Sequence, residues 1–231
     1  MASTDWKVLT SLTGISHSLV DTLGLVGMEG SYVWNVRTTA NGGSYFISKN
    51  ISNLVGTAGI KTKACQDNSL VTNLKIRCLV RRTDANAIPF LFLRGGTEAN
   101  ATNSPAYKFA FTTIGNTGKF ALYKESLEGS FTTPPIAVSS SLTSYSVNTT
   151  YWVEFLIYSQ DNHDTFIEAY LLPMDGNGAP DPYGTPTTLF KTMIFYSDSP
   201  ILTGYCGFGH YGSTVNSNSF FDMFEVYQEQ A

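Results

Sequence analysis

Apolar side chains in this chain recur at every second position and almost nowhere at the spacing of a helix turn. From Leu74 to Arg81 one parity is apolar (Leu74, Ile76, Cys78, Val80) and the other is mostly basic (Lys75, Arg77, Arg81). That is the pattern of a strand with one face in a core and one toward water. Tyr107, Phe109 and Phe111 alternate with Lys108, Ala110 and Thr112, and the turn Gly115 to Gly118 leads into Lys119 to Lys124, which predicts a hairpin. Tyr151 to Tyr158 is apolar on both parities and reads as a central strand packed on both faces. It returns after the polar turn Gln160 to Asp164 through Phe166 to Leu172, a second hairpin. Gly204 to Gly212 and Ser219 to Tyr227 read as two closing strands, and glycines among the core-type residues of the first mark close backbone approach or a bulge. The chain is expected to be all-β.

The one stretch with a rough helical stripe is Leu12 to Leu25, through Leu12, Ile15, Leu19 and Leu23, and Gly14 and Gly24 weaken it. Pro173 to Pro186 holds four prolines and three glycines and reads as a long irregular loop. A sandwich is expected over residues 30–231, a boundary implied by the family resemblance given below, which leaves 1–29 as an N-terminal segment. That segment is too apolar for a disordered tail, with Trp6, Val8, Leu9, Leu12, Ile15, Leu19, Val20, Leu23, Leu25 and Val26. Two roles fit it: an extra edge strand of its own sandwich, or a docking arm buried against a neighbouring subunit.

Charge narrows the partners. Lys and Arg number 14 and Asp and Glu 18, a net charge of −4, while 27 Thr, 23 Ser and 15 Asn make the surface neutral and polar. Arg77, Arg81 and Arg82 are too few for a phosphate-binding run, so nucleic acid is not an expected partner. Neither is a membrane: the best apolar run, Ala87 to Leu93, is broken by Pro89 and falls short of the roughly 18 residues needed to span a bilayer. The start, Met1 to Trp6, has neither the basic nor the apolar region of a secretory signal. Cys65, Cys78 and Cys206 show no metal-ligand spacing and read as small buried apolar groups in a reducing cytoplasm.

Chemistry-bearing motifs are sparse. His17, His163 and His210 read as surface or loop residues, and no Ser or Cys sits in a nucleophile frame. Asp175 to Asp181 has the oxygen ligands of a calcium loop without the closing glutamate, and reads as a turn. Asp161 to Asp164 reads as a polar hairpin tip. Tyr183, Tyr196 and Tyr211 sit in loops or near strand ends, where exposed aromatics would suit a sugar platform. No metal and no cofactor is expected.

The order of these elements resembles the concanavalin A-like jelly-roll sandwich of legume lectins, laminin G-like domains and laminarinase-type glucanases. The resemblance runs from Gly30 to Tyr227. It is carried by the Thr72 to Arg82 strand, one ending in Leu93, Arg94 and Gly95, the Tyr107 to Phe111 and Phe120 to Lys124 pair, the Tyr151 to Phe155 strand, its Glu168 to Leu171 return, Gly204 to Gly209, and Phe220 to Val226. It implies two antiparallel sheets packed face to face. Glycosidases of this kind carry a Glu-x-Asp-x-x-Glu strand that puts both carboxylates on one face. The nearest match here has Phe220 in the first place, followed by Asp222 and Glu225. Glu154 and Glu168 each stand alone among apolar strand residues and read as structural, so the chain is expected not to be an enzyme.

Low charge, Thr, Ser, Asn and Gly richness, a start without an export signal and a lectin-like sandwich together resemble the structural proteins of tailed-phage virions. The expectation is a non-enzymatic virion structural or decoration protein, made in the host cytoplasm. It would dock on a capsid or tail through its sandwich and N-terminal segment, with other virion proteins or further copies of itself as partners. The alternative is a lectin-like, carbohydrate-binding module that recognises host-surface glycans.

Overall fold

The computed structural model of the chain describes residues 6–11, 15–21, 32–38, 43–49, 73–95, 105–112, 118–127, 131–140, 145–160, 163–202, 204–212 and 216–228. Among these, fourteen strands and a short 3-10 turn, Tyr196–Asp198, are found: β1 Trp6–Ser11, β2 Ile15–Asp21, β3 Tyr32–Thr38, β4 Gly43–Lys49, β5 Leu74–Arg82, β6 Ala87–Gly95, β7 Pro105–Thr112, β8 Lys119–Ser126, β9 Ala137–Val138, β10 Thr150–Ser159, β11 Thr165–Leu172, β12 Thr187–Ile194, β13 Tyr205–Gly212 and β14 Asn218–Gln228. They form two seven-stranded antiparallel sheets, in the orders β1-β4-β13-β6-β7-β8-β9 and β12-β11-β10-β5-β14-β3-β2.

The all-β, two-sheet architecture is as the alternation requires, and both hairpins form, β7 with β8 and β10 with β11. The helical stripe does not prevail: Ile15–Asp21 is strand β2, paired with β3, while β1 pairs with β4. The two N-terminal strands thus take the outer positions of different sheets. Cys65 lies outside the described residues; Cys78 and Cys206 are buried free thiols.

The alternating residues of the two sheets meet in one core. Phe109 of β7 lies 5.7 Å from Phe155 of β10 between ring centroids, and Phe208 of β13 stacks on Phe221 of β14 at 4.4 Å. Ile76, Cys78 and Val80 of β5 and Val153 and Ile157 of β10 complete the layer. Such a core stabilises mainly by removing apolar area from water.

Polar ties cross the core as well. Arg94, at the end of β6, is fully buried with a positive φ of 50°. Its guanidinium donates to the Ile201 carbonyl at 2.9 Å, to Ser159 Oγ at 3.2 Å and to Thr165 Oγ1 at 3.4 Å. Gly204 passes so close beneath it that a Cβ would lie 2.4 Å from the Arg94 carbonyl carbon, and its φ is +151°. That is the close backbone approach anticipated for this glycine-rich strand entry. His210 departs from expectation: it is not a surface or loop residue but fully buried, its Nδ1 2.8 Å from Ser219 Oγ, which joins β13 of one sheet to β14 of the other.

The first sheet is also covered on its outer side. Ile88, Phe90, Phe92, Ala110 and Tyr123 form a second apolar cluster beneath Leu127 and Phe131, so all nine residues of β6 are buried. Lys108 lies in this layer, 4.0 Å from the Phe131 ring centroid, with its Nζ 2.6 Å from Glu125 Oε1. Glu125 in turn accepts from the Phe131 amide at 3.2 Å and the Thr133 hydroxyl at 3.1 Å, which ties the covering segment to the sheet.

Candidate functional site

With the central strands of the first sheet covered on both sides, the half-exposed sheet surface lies on the outer face of the second. Strand alternation sends Lys75, Arg77 and Leu79 of β5, Trp152, Glu154, Leu156 and Tyr158 of β10, Phe166, Glu168, Tyr170 and Leu172 of β11, and Glu225 and Tyr227 of β14 to that side. The expectation that β10 is packed on both faces is therefore corrected: Glu154, Leu156 and Tyr158 are half-buried while Val153, Phe155 and Ile157 are buried. Tyr, Trp and Leu spell an apolar strand, yet their side chains serve a sheet surface as readily as a core.

Register arranges these side chains in rows. Met193, Phe166 and Tyr158 form one; Lys191, Glu168, Leu156, Lys75 and Tyr227 the next; Tyr170, Glu154, Arg77 and Glu225 a third; Leu172, Trp152 and Leu79 a fourth. The rows grade from aromatic, through charged, to apolar. Tyr158 and Phe166 stack at 5.1 Å with their rings 7° apart. The fourth row is closed by Met174 and Met223, and the Trp152 indole N–H there is buried with no partner.

The charged rows hold two linked networks. Arg77 Nε is 2.7 Å from Glu154 Oε2, and its guanidinium lies 5.3 Å from the Tyr227 ring centroid and 5.8 Å from that of Trp152. The Tyr227 hydroxyl donates to Glu225 Oε2 at 2.6 Å, and Lys75 stands 5.2 Å over the same ring. Beside them Glu168 accepts from Lys191 Nζ at 3.0 Å, from the Tyr158 hydroxyl at 3.2 Å and from the Tyr170 hydroxyl. Burial works against ionising Glu168, but the bonds from Tyr170 and Lys191 outweigh it and hold its carboxyl below the usual range. Burial, then the bond to Glu168, pushes the Tyr170 phenol up.

Glu154 and Glu168, solitary in the sequence, are thus brought onto adjacent strands of one face, with Glu225 two strands away from Glu154. Sequence reasoning missed this face because its residues converge only through strand pairing; the shared parity of Lys75 and Arg77, Glu154 and Tyr158, and Glu168 and Tyr170 was the available signal. The three tyrosines proposed as a platform do not converge. Tyr183 is 96% exposed in the loop before β12 and Tyr196 lies just after it, beyond opposite ends of an eight-residue strand about 26 Å long, while Tyr211 packs on Phe131 over the other sheet. His163, at the β10–β11 tip, packs against Tyr196 at 5.6 Å. Asp175 Oδ1 accepts from the amides of Asn177 and Ala179, both at 2.8 Å, in a turn of its own loop. Among the described residues no group of three His, Cys, Asp or Glu side chains is placed to hold a metal, and no helix is long and apolar enough to cross a membrane.

No protein-family model matches the sequence, and no curated protein matches it. Solved structures do. The potassium-bound carbohydrate recognition domain of Emp46p superposes with a TM-score of 0.55 at 8% identity, over 99% of this chain and 90% of that one. A marine PL-14 alginate lyase from Aplysia kurodai gives 0.52 at 10% identity, over 94% of this chain and 87% of that one. The fold is the concanavalin-like jelly roll. A sialidase also matches, with a TM-score of 0.50 and 10% identity over 97% of this chain, which spans only 17% of the sialidase. At these identities the likeness is one of fold.

The alginate lyase corrects the expectation that this chain is not an enzyme. That expectation rested on the missing Glu-x-Asp-x-x-Glu strand, which is one glucanase arrangement; the jelly roll shared here also carries a lyase.

Proposed function

We propose that the outer face of the second sheet binds carbohydrate. The observation that carries the reading is the interleaving, on one half-exposed face, of aromatic rings (Tyr158, Phe166, Tyr170, Tyr227) with hydrogen-bonding charged pairs (Arg77 with Glu154, Lys191 with Glu168). Aromatic rings offer flat apolar surface to the C–H faces of a pyranose, and paired carboxylates and cations meet its hydroxyls as acceptor and donor. That one neighbour in fold is a carbohydrate recognition domain and another cleaves alginate supports the same reading.

A glycan array followed by calorimetry tests it, with product analysis on the bound polysaccharides reading any cleavage. Binding to at least one glycan is expected, lost in Tyr158→Ala and Arg77→Ala and kept in Tyr183→Ala. Loss in Tyr183→Ala alone would move the site to the loop before β12 and overturn the proposal.

Composition supports a setting for such a face. A composition rich in Thr, Ser and Asn and poor in charge is in keeping with the virion of a tailed phage, where a glycan-binding sandwich would contact the host surface. Quantifying the chain in purified particles checks this: many copies per shell favour decoration, and a few copies at the tail favour host contact.

A further inference from the structure

The charge pattern of the face narrows what it takes. Among the described residues its solvent-accessible charges are Glu154, Glu168 and Glu225 beside Lys75, Arg77 and Lys191, three of each sign. Arg81, the next outward position of β5, and Asp222, which the bulge between Asp222 and Glu225 turns to the same side, are both buried there, and Asp222 accepts from the Met223 amide at 2.8 Å. Each of these three cations already has a counterpart: Arg77 has Glu154, Lys191 has Glu168, and Lys75 has the Tyr227 ring.

We infer that this face selects neutral, hydroxyl-rich saccharides and rejects uronate and other anionic polysaccharides, a specificity that rests on the carbohydrate-binding reading above. An incoming carboxylate has to draw Lys191 from Glu168, Arg77 from Glu154 or Lys75 from its place over the Tyr227 ring, and the first two are the ion pairs. The carboxylate left behind is only 14% or 12% exposed, so water does little to replace the lost partner. The net charge of −4 adds long-range repulsion of a polyanion. A neutral sugar breaks nothing. Its hydroxyl donates to a carboxylate oxygen and accepts from Lys191, whose side chain is 56% exposed and whose ammonium has three protons to share. The Glu168–Lys191 pair is therefore the specificity determinant: a fixed dipole for hydroxyls when intact, an anion site when its carboxylate is removed.

Calorimetry of the wild type, Glu168→Gln and Glu154→Gln against neutral glucan, galactan and mannan oligosaccharides and against alginate oligosaccharides, at low and high salt, decides the matter. The wild type is expected to bind a neutral series with less than about a twofold change in affinity between the salt conditions, as an interaction without net charge requires, and to ignore alginate. Glu168→Gln, which frees Lys191, is expected to gain alginate binding by about tenfold or more, suppressed by salt. Salt-sensitive alginate binding by the wild type overturns the inference and leaves the carbohydrate-binding reading standing. Neutral binding with no gain in either Gln variant overturns the role given to the ion pairs. Absence of binding to every saccharide overturns both.

Discussion

Arg77 and Glu154 stand directly opposite one another on β5 and β10, and the guanidinium that bonds Glu154 also lies over the rings of Trp152 and Tyr227. Burial works against the charge on Arg77, and the bond to Glu154 more than restores it. The Arg77 side chain is 31% exposed but that of Glu154 only 12%, so the loss falls on the carboxylate left behind. Arg77→Ala is expected to cost about 1 to 2 kcal/mol in urea unfolding while abolishing measurable glycan binding. A stability loss of several kcal/mol would make the pair structural.

Arg94 is the opposite case. With no exposure and acceptors from three segments, its removal strands the Ile201 carbonyl and leaves the Ser159 and Thr165 hydroxyls only their bond to each other, at 3.1 Å. Arg94→Ala is expected to lower unfolding free energy by about 3 kcal/mol, measured as a shift in urea midpoint with unchanged slope.

Glu125 holds Lys108, Phe131 and Thr133 together. Burial pulls the Lys108 ammonium down to about 8 even though Glu125 opposes it. Glu125→Ala leaves that amine buried without its carboxylate and is expected to cost about 3 to 5 kcal/mol. Adding Lys108→Met recovers part of the loss, because the buried charge is gone while the Phe131 and Thr133 bonds remain unmade. A double variant no more stable than the single one would refute the coupling.

His210 sets the acid limit. Burial lowers its pKa to about 3, against about 6.5 in an unfolded chain. Between these values the unfolded state binds a proton that the folded state refuses. Its contribution is therefore complete above about pH 6.5 and is lost as pH falls toward 3, by up to about 1.4 kcal/mol per unit. His210→Gln is expected to flatten the dependence of urea midpoint on pH between about 6.5 and 4.

The N-terminal strands give a fifth test. Because β1 pairs with β4 and β2 with β3, removing residues 1–28 is expected to expose a new edge on each sheet and to lower the melting temperature or cause aggregation. Cooperative melting at the full-length temperature, with loss of attachment to particles, would instead support the docking-arm role.

Much of this fold was legible because a strand with one wet face writes its burial in alternate letters. Leu74–Arg82 is the clear example, Lys75 and Arg77 outward and Ile76 and Cys78 inward. Thr187–Ile194 escaped notice, since an outer strand with exposed Thr187, Thr188 and Lys191 reads like the loop before it. His210 was misplaced for a different reason. A histidine in a glycine-rich run looks like a loop residue until the partner that satisfies it, Ser219, is brought opposite from the other sheet. The candidate face failed on the same ground: Glu154, Glu168 and Arg77 are 14 to 91 positions apart, and only register makes them neighbours.

The strand that lies between β5 and β3 in the second sheet is β14, whose residues run to Gln228. During synthesis, β5 and β10 are complete long before the strand that bridges them to β3 has left the ribosome. The sheet cannot close vectorially. Folding of the sandwich consequently waits for β14, and until then the β5 edge is open to other nascent chains, which makes crowded expression the condition under which this protein misassembles.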